Sequence, residues 1–101
     1  MTLEYFHDRI CDELSGAEDY IKFAMEVRVM DPSFGKQFAE MSAAELDHAS
    51  KLYKMFEQYY QKATSVFSEV PKHMSDMHKC ITDKYTDCYP KIIALHDAYK
   101  K

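Results

Sequence analysis

A carboxylate and an imidazole interrupt an apolar helical pattern in residues 38–49, which run from Phe38 to Ala49 and read FAEMSAAELDHA. At about 100° of rotation per residue, the large apolar side chains here and on either side form one stripe of a helix. The stripe consists of Phe34, Phe38, Met41, Leu52, Phe56 and Tyr59. Glu45 and His48 fall inside it, so the pattern predicts that both side chains point toward the core. A buried carboxylate is costly unless it is neutralised, hydrogen-bonded or bound to a cation, so Glu45 requires a partner.

Glu45 and His48 have the spacing Glu-x-x-His, which on an inward helix face presents a carboxylate and an imidazole to one metal ion. The tetrapeptide alone is weak, because many surface helices contain it by chance. Its position on the apolar stripe is what favours a metal site. Carboxylate and imidazole ligands together suit iron or manganese.

The size and composition of the chain predict one small helical domain. Its 101 residues fit a single domain, 1–101, with a modest core and little room for a sheltered active site. Oligomerisation is therefore expected. The sequence is 47% hydrophobic with 2 Gly and 3 Pro, and it contains no apolar–polar alternation of strand length. This composition predicts an all-α fold.

Charge and hydropathy exclude several partners. The net charge is -4 and the cations are scattered among acids, so no basic surface for nucleic acid is expected. No segment approaches about 20 uninterrupted apolar residues, and the first residues lack the pattern of a signal peptide. We therefore expect no membrane partner and a cytoplasmic location. Cys11, Cys80 and Cys88 lack a metal-finger spacing and are interpreted as reduced thiols.

Capping signals divide the chain into three predicted helices, at about 2–30, 32–62 and 69–99. Asp31 and Pro32 form an N-cap and first turn for the second helix. Ser68, Glu69 and Pro71 suggest a start for the third helix, although a longer second helix that Pro71 stops is the alternative.

Glu13 is the acid of the first helix that the helical pattern directs inward. It lies roughly 40° from the mean direction of the apolar face, whereas Glu18 lies roughly 100° away. The alternative for Glu13 is a boundary side chain that extends to water. Nearby, Gly16 is expected to permit close approach of a neighbouring helix. The third helix directs no acid to the core, and His78 on its apolar stripe is interpreted as a core histidine.

Two stretches together resemble the ferritin-like superfamily, and rubrerythrin most closely. Rubrerythrin carries a ligand glutamate in its first helix, followed by Tyr after seven residues and by Phe-Ala after ten and eleven. Glu13, Tyr20, Phe23 and Ala24 have this spacing. Residues 38–49 are similar to the second rubrerythrin helix, with the Glu-x-x-His-Ala element in register. The resemblance covers residues 10–60, about half of the chain.

The resemblance implies a three-helix antiparallel bundle that pairs into a larger bundle by dimerisation. It also implies site roles, in which Glu13 is a terminal carboxylate ligand, Glu45 bridges two irons and His48 is an imidazole ligand. The helical pattern had selected the same three residues. The expected cofactor is a di-iron centre, with manganese as an alternative, and the expected activity is iron handling such as ferroxidase chemistry.

The chain departs from the family in its number of ligands. A full ferritin-like centre draws on four helices, including a second glutamate helix and a second Glu-x-x-His helix, and this chain has neither. Small members, the encapsulated ferritins, complete such a site across a subunit interface, so a homodimer or higher oligomer is expected here. The alternative is a non-catalytic helical module that self-associates or binds a partner and retains the motif. An oxygen carrier like hemerythrin fits poorly, because His73, His78 and His96 lack metal-binding helical spacings.

Overall fold

Three α-helices make up the fold in the computed structural model, which describes residues 2–101. Helix α1 spans Thr2–Val27, α2 spans Pro32–Thr64 and α3 spans Lys72–Lys100. Residues 2–101 contain no β-strand, so the prediction of an all-helical protein with three helices is confirmed. Over the same range, no helix combines the length and apolar composition of a transmembrane span.

The junction between α1 and α2 forms as the capping signals predict. Asp31 is the N-cap of α2, and its carboxylate accepts hydrogen bonds from the backbone N–H groups of Ser33 (2.9 Å) and Phe34 (3.2 Å). Pro32 occupies the first turn, where a missing N–H costs nothing. Helix α1 ends at Val27, before the predicted residue 30, because residues 28–30 form a turn.

The start of α3 differs from the prediction. The helix begins at Lys72 and not near Glu69. Val70 precedes a proline, and the ring of Pro71 disfavours helical backbone at the residue before it. Pro71 itself is the N-cap, with an extended ψ of 139° and no side-chain hydrogen bond. Helix α2 also ends at Thr64, two residues beyond its predicted end.

Helix α1 packs along both other helices and supplies most of the core. Its buried apolar residues are Leu3, Phe6, Ile10, Leu14, Ala17, Ile21 and Ala24. The other two helices add Leu46, Ala49, Phe56, Ile81 and Ile92. The molecule is elongated, with extents of 58 × 17 × 15 Å, because all three helices are long and lie side by side.

The second helix buries only part of its predicted apolar stripe, in which Phe56 is buried and Phe38 and Leu52 are partly buried against the core. Phe34, Met41 and Tyr59 are 52%, 45% and 37% exposed, so the prediction that this stripe lies in the core is wrong for them. The buried residues of α2 are Gly35, Ser42, Leu46, Ala49 and Phe56. Helix α3 contacts α2 through Ser42, Tyr53 and Tyr60. The buried face of α2 is therefore rotated toward these residues, and the predicted stripe lies at its outer edge. We call the residues Phe34, Phe38, Met41, Leu52, Met55 and Tyr59 the outer stripe.

Aromatic rings bridge α2 and α3, whose backbones approach each other at few positions. Tyr53 stacks on Tyr85 with a centroid distance of 4.2 Å and an interplanar angle of 5°. His78 stacks on Tyr60 at 4.2 Å, and its Nε2 lies 2.8 Å from a carboxylate oxygen of Glu57. The ring nitrogen of His78 is therefore satisfied, but the side chain is 30% exposed, so His78 lies at the edge of the core and not inside it.

A buried hydroxyl connects all three helices. Ser42, on the inner face of α2, donates a hydrogen bond to the carbonyl of Ala17 on α1 (2.6 Å). Its oxygen also lies 2.8 Å from Nε2 of His96 on α3. Since the single hydroxyl proton goes to the carbonyl, which can only accept, Nε2–H of His96 must donate to Ser42. The imidazole tautomer is therefore set by this contact.

The sequence predicts a tight approach at Gly16, but the tight contact occurs at Gly35, against the turn that follows α1. A Cβ added at Gly35 would lie 2.7 Å from Cβ of Arg28, closer than real Cβ atoms approach. At Gly16 the nearest atom would be the Glu45 carboxyl group at 3.6 Å, an ordinary contact distance. Gly16 therefore lies beside a side chain of the predicted site and not against a helix backbone.

Candidate metal centre

Glu13 is the buried acid of the candidate site. It lies on the core-facing side of α1, between Ile10 and Ala17, and is 8% exposed. Its Oε1 accepts a hydrogen bond from Nη2 of Arg9 at 3.2 Å. Its Oε2 is buried and has no hydrogen-bond partner. Nδ1 of His48 lies 3.6 Å from it, which is within ion-pair distance but too long for a hydrogen bond.

Glu45 and His48 lie one turn apart on α2 and face Glu13. Glu45 is half-buried. The His48 side chain is 57% exposed, so the prediction that this imidazole points into the core of the chain is wrong. His48 lies beside the outer stripe, on a face of α2 that α3 does not cover. The inward orientation of Glu13 is correct.

The three residues predicted from the sequence come together in the structure. One ligand atom from each of Glu13, Glu45 and His48 lies within 4.8 Å of the other two. This spacing places two carboxylate oxygens and one imidazole nitrogen around a common point. Glu18 does not join them, because its carboxylate pairs with Lys22 at 3.0 Å.

The site opens to a shallow cavity on the outer stripe. The cavity has a volume of about 280 Å³ and is lined by Arg9, Glu13, His48, Lys51, Leu52 and Met55. Two cationic side chains and two apolar ones therefore surround the exposed side of the cluster. Lys51 is already paired with Asp47 at 2.8 Å, and Arg9 with Glu13.

A second cluster of potential ligands lies between α1 and α3. Cys11 and Cys88, both free thiols, line a cavity of about 300 Å³ together with Lys84. Sγ of Cys11 lies 3.7 Å from Nε2 of His7. Burial raises the pKa of the Cys11 thiol, although Lys84 opposes this. A thiol that stays protonated is a poor metal ligand, so this cluster is less suited to a metal than the carboxylates.

Sequence reasoning missed Arg9 as part of the site. The available signal was its position four residues before Glu13, because residues at i and i+4 are neighbours on a helix surface. The sequence pattern also does not distinguish Ser42 from the small residues around it, so the buried hydrogen bonds of its hydroxyl are not predicted. The partner of that hydroxyl, Ala17, is 25 residues away in the chain, and no local pattern reports such a contact.

The donor set fits a divalent transition metal ion. Oε2 of Glu13 is a buried acceptor beside the two other ligands and accepts no hydrogen bond, and a buried polar atom of this kind is costly unless a cation or donor satisfies it. Oxygen and imidazole ligands suit iron and manganese better than copper(I), which prefers thiolates.

In comparisons with known protein families, with curated proteins and with solved structures, the chain matches none of them.

Proposed function

We propose that this protein binds iron, or manganese, through Glu13, Glu45 and His48 and that it handles iron as a ferritin-like protein. The proposal includes an antiparallel arrangement of the three helices, as in ferritin-like bundles. The observation that carries it is the buried Oε2 of Glu13, which accepts no hydrogen bond and belongs to one of three converging ligand residues. A metal ion would satisfy this oxygen, which accepts no hydrogen bond.

Ligand number supports a site that is shared between two chains. One chain offers two carboxylates and one imidazole, which do not saturate a six-coordinate ion. Two chains related by a two-fold axis offer four carboxylates and two imidazoles, the ligand set of a di-iron carboxylate centre. A pair of bound irons would supply redox chemistry toward oxygen or peroxide. We therefore include ferroxidase activity in the proposal.

The outer stripe supports a second copy of the chain as the partner. Its residues Phe34, Met41 and Met55 are 52%, 45% and 54% exposed, and they lie on the same face of α2 as Glu45 and His48. A two-fold axis near His48 would bring the two stripes together and enclose the ligands of both chains. Exposed apolar side chains in a contiguous stripe are typical of an interface.

The exposed area of the chain also supports dimerisation. The chain exposes 6640 Å², whereas a compact monomer of 11.9 kDa would expose about 5,900 Å². The excess of about 700 Å² is similar to the roughly 800 Å² that each partner buries in a stable interface. A dimer through the outer stripe would remove much of this excess.

Metal and assembly should depend on each other. Without metal, two inward carboxylates of each chain would meet their copies across the axis, and like charges at short range repel each other. A metal ion between them would replace this repulsion by attraction. Metal should therefore promote dimerisation, and dimerisation should raise the affinity for metal by the same factor.

The direct test is metal binding by the purified chain. Ferrous ion is titrated anaerobically into the wild type, Glu45→Gln and the control Glu40→Gln, which removes an exposed acid of the same helix outside the cluster. We expect about one iron per chain in the wild type and the control, and loss of this binding in Glu45→Gln. A wild type without stoichiometric iron, or iron binding that Glu45→Gln leaves intact, would contradict the proposal.

A second candidate is a non-catalytic module that self-associates through the outer stripe. The ion pair between Arg9 and Glu13 favours it, because a guanidinium already balances the charge of the buried carboxylate. Such a module would dimerise equally well in the presence of a metal chelator. The proposed metal-linked dimer would dissociate under that condition.

A further inference from the structure

Arg9 contacts the candidate metal centre without belonging to its ligand set. It lies one turn before Glu13 on α1, and its Nη2 donates to Oε1 of Glu13 at 3.2 Å. Its other terminal nitrogen, Nη1, donates to Oδ2 of Asp12 at 3.5 Å. The Arg9 side chain is 43% exposed, whereas that of Glu13 is 10% exposed. The guanidinium therefore remains at the rim and reaches the buried carboxylate from the solvent side.

The two oxygens of Glu13 have different surroundings as a result. Oε1 accepts a hydrogen bond from the guanidinium, whereas Oε2 is buried, accepts no hydrogen bond and lies 3.6 Å from Nδ1 of His48. Rotation of the carboxylate would exchange the two oxygens or present both of them to the site. The hydrogen bond to Arg9 opposes that rotation, because a charge-assisted hydrogen bond is stronger than a neutral one.

We propose that Arg9 is a positioning residue, which holds Oε1 of Glu13 so that Oε2 alone is presented to the metal. This inference rests on the proposed metal-binding function. It assigns to Arg9 the role that outer-shell partners play elsewhere, where a hydrogen bond fixes the orientation of a ligand. The Glu13 carboxylate then binds through one oxygen, and the coordination positions left open go to the partner chain or to water.

A positive side chain near a metal ion also repels it, and the two effects of Arg9 have opposite signs. Its exposure and its second partner, Asp12, weaken the repulsion, because solvent and a neighbouring carboxylate screen the charge. The hydrogen bond to Oε1 reaches a side chain that is almost fully buried, where screening is weaker. We therefore expect orientation to dominate, so that loss of Arg9 weakens metal binding.

Three substitutions separate orientation from repulsion. Arg9→Met removes both the charge and the donor, Arg9→Gln removes the charge and shortens the donor, and Arg9→Lys keeps a charged donor of similar reach. Lys22→Met is the matched control, because it breaks an i, i+4 ion pair with Glu18 on the same helix outside the site. Circular dichroism of each metal-free variant verifies that it is folded.

The probe is cobalt(II) alone, which is titrated into each variant and followed by its visible absorption. We expect Arg9→Met and Arg9→Gln to weaken cobalt affinity by about tenfold or more, while Arg9→Lys retains most of the affinity. The absorption of the cobalt complex should also change in Arg9→Met, because a released carboxylate can chelate through both oxygens. A role in folding alone would leave that spectrum unchanged.

The outcomes distinguish this inference from the proposed function. If the wild type and Lys22→Met bind cobalt but Arg9→Met and Arg9→Gln bind it as tightly or more tightly, the positioning role is overturned and the metal site stands. If Arg9→Met does not fold, Arg9→Gln decides the same comparison. A wild type that binds no cobalt, iron or manganese would overturn the proposed function and this inference together.

Discussion

The two faces of α2 are both rich in apolar residues, but only one of them is buried within the chain. The inner face packs Leu46, Ala49 and Phe56 against α1 and α3. The outer stripe is made of residues just as apolar, yet Met55 is 54% exposed, and the two predicted ligands of this helix lie on the same face. The difference teaches that an apolar pattern identifies a face that requires covering and does not identify what covers it.

The largest expected effect contrasts adjacent residues on the two faces. Phe56 is 0% exposed, so Phe56→Ala should lower the free energy of unfolding by about 3–5 kcal/mol through lost burial and a cavity. Met55→Ala should change it by only about 0.5 kcal/mol in the metal-free chain, as for other surface positions. Urea denaturation measures both values. Equal losses for the two variants would mean that the outer stripe belongs to the core of the single chain.

Substitution of the two glycines by alanine should change the stability by an intermediate amount and extends the comparison. Gly35→Ala should destabilise the protein by about 1–3 kcal/mol, as overpacking does, because its Cβ would overlap Arg28. In Gly16→Ala the added methyl group would make only ordinary contacts with the side chain of Glu45. The substitution should therefore stabilise α1 by up to about 1 kcal/mol. Thermal unfolding of the two variants measures the difference. A destabilising Gly16→Ala would show that the added methyl group clashes with the side chain of Glu45.

The smallest expected effect is the pH dependence of stability caused by His96, which contacts the inner face of α2. Burial, aided by Lys100 and opposed by Asp97, lowers the pKa of His96 below its ordinary value of 6.5. The unfolded chain then takes up a proton at this residue more readily than the folded chain, so stability is lost as pH falls through 6.5 toward the folded pKa. Unfolding free energies on either side of that value should differ less in His96→Gln than in the wild type.

The exposed His73 provides the control for that titration. His73→Gln should leave the pH dependence of stability close to that of the wild type, because His73 lies on the surface and takes no part in the buried contact between Ser42 and His96. If His96→Gln and the wild type lose equal stability on acidification, the imidazole of His96 is not responsible.

Local signals in the sequence were sufficient for the helices and for the identity of the candidate ligands. Asp31 and Pro32 determine the start of α2 through their own backbone preferences, and Glu13 is directed inward by the positions of its neighbours on α1. The predicted start of the third helix is three residues too early, because Pro71 restricts the backbone of Val70 more strongly than Ser68 and Glu69 favour a helix start there.

The face that each helix buries could not be predicted in the same way. Periodicity assigns Phe34, Met41 and Tyr59 to the core together with Phe56, because it gives the direction of an apolar face and contains no information on where α3 packs. The hydrogen bonds from Ser42 to Ala17 and from His96 to Ser42 likewise join residues that are distant in the chain. Such contacts depend on the packing of the three helices and appear only in the folded structure.

Sedimentation of the chain with and without metal tests the central claim most directly, because it measures metal binding and the covering of the outer stripe together. The wild type and Glu45→Gln are compared under anaerobic conditions with ferrous ion and with a chelator. We expect the wild type to sediment as a dimer with iron and to shift toward monomer with the chelator, while Glu45→Gln shows no response to iron. A wild type whose assembly is the same with iron and with the chelator would contradict a metal site shared between two chains.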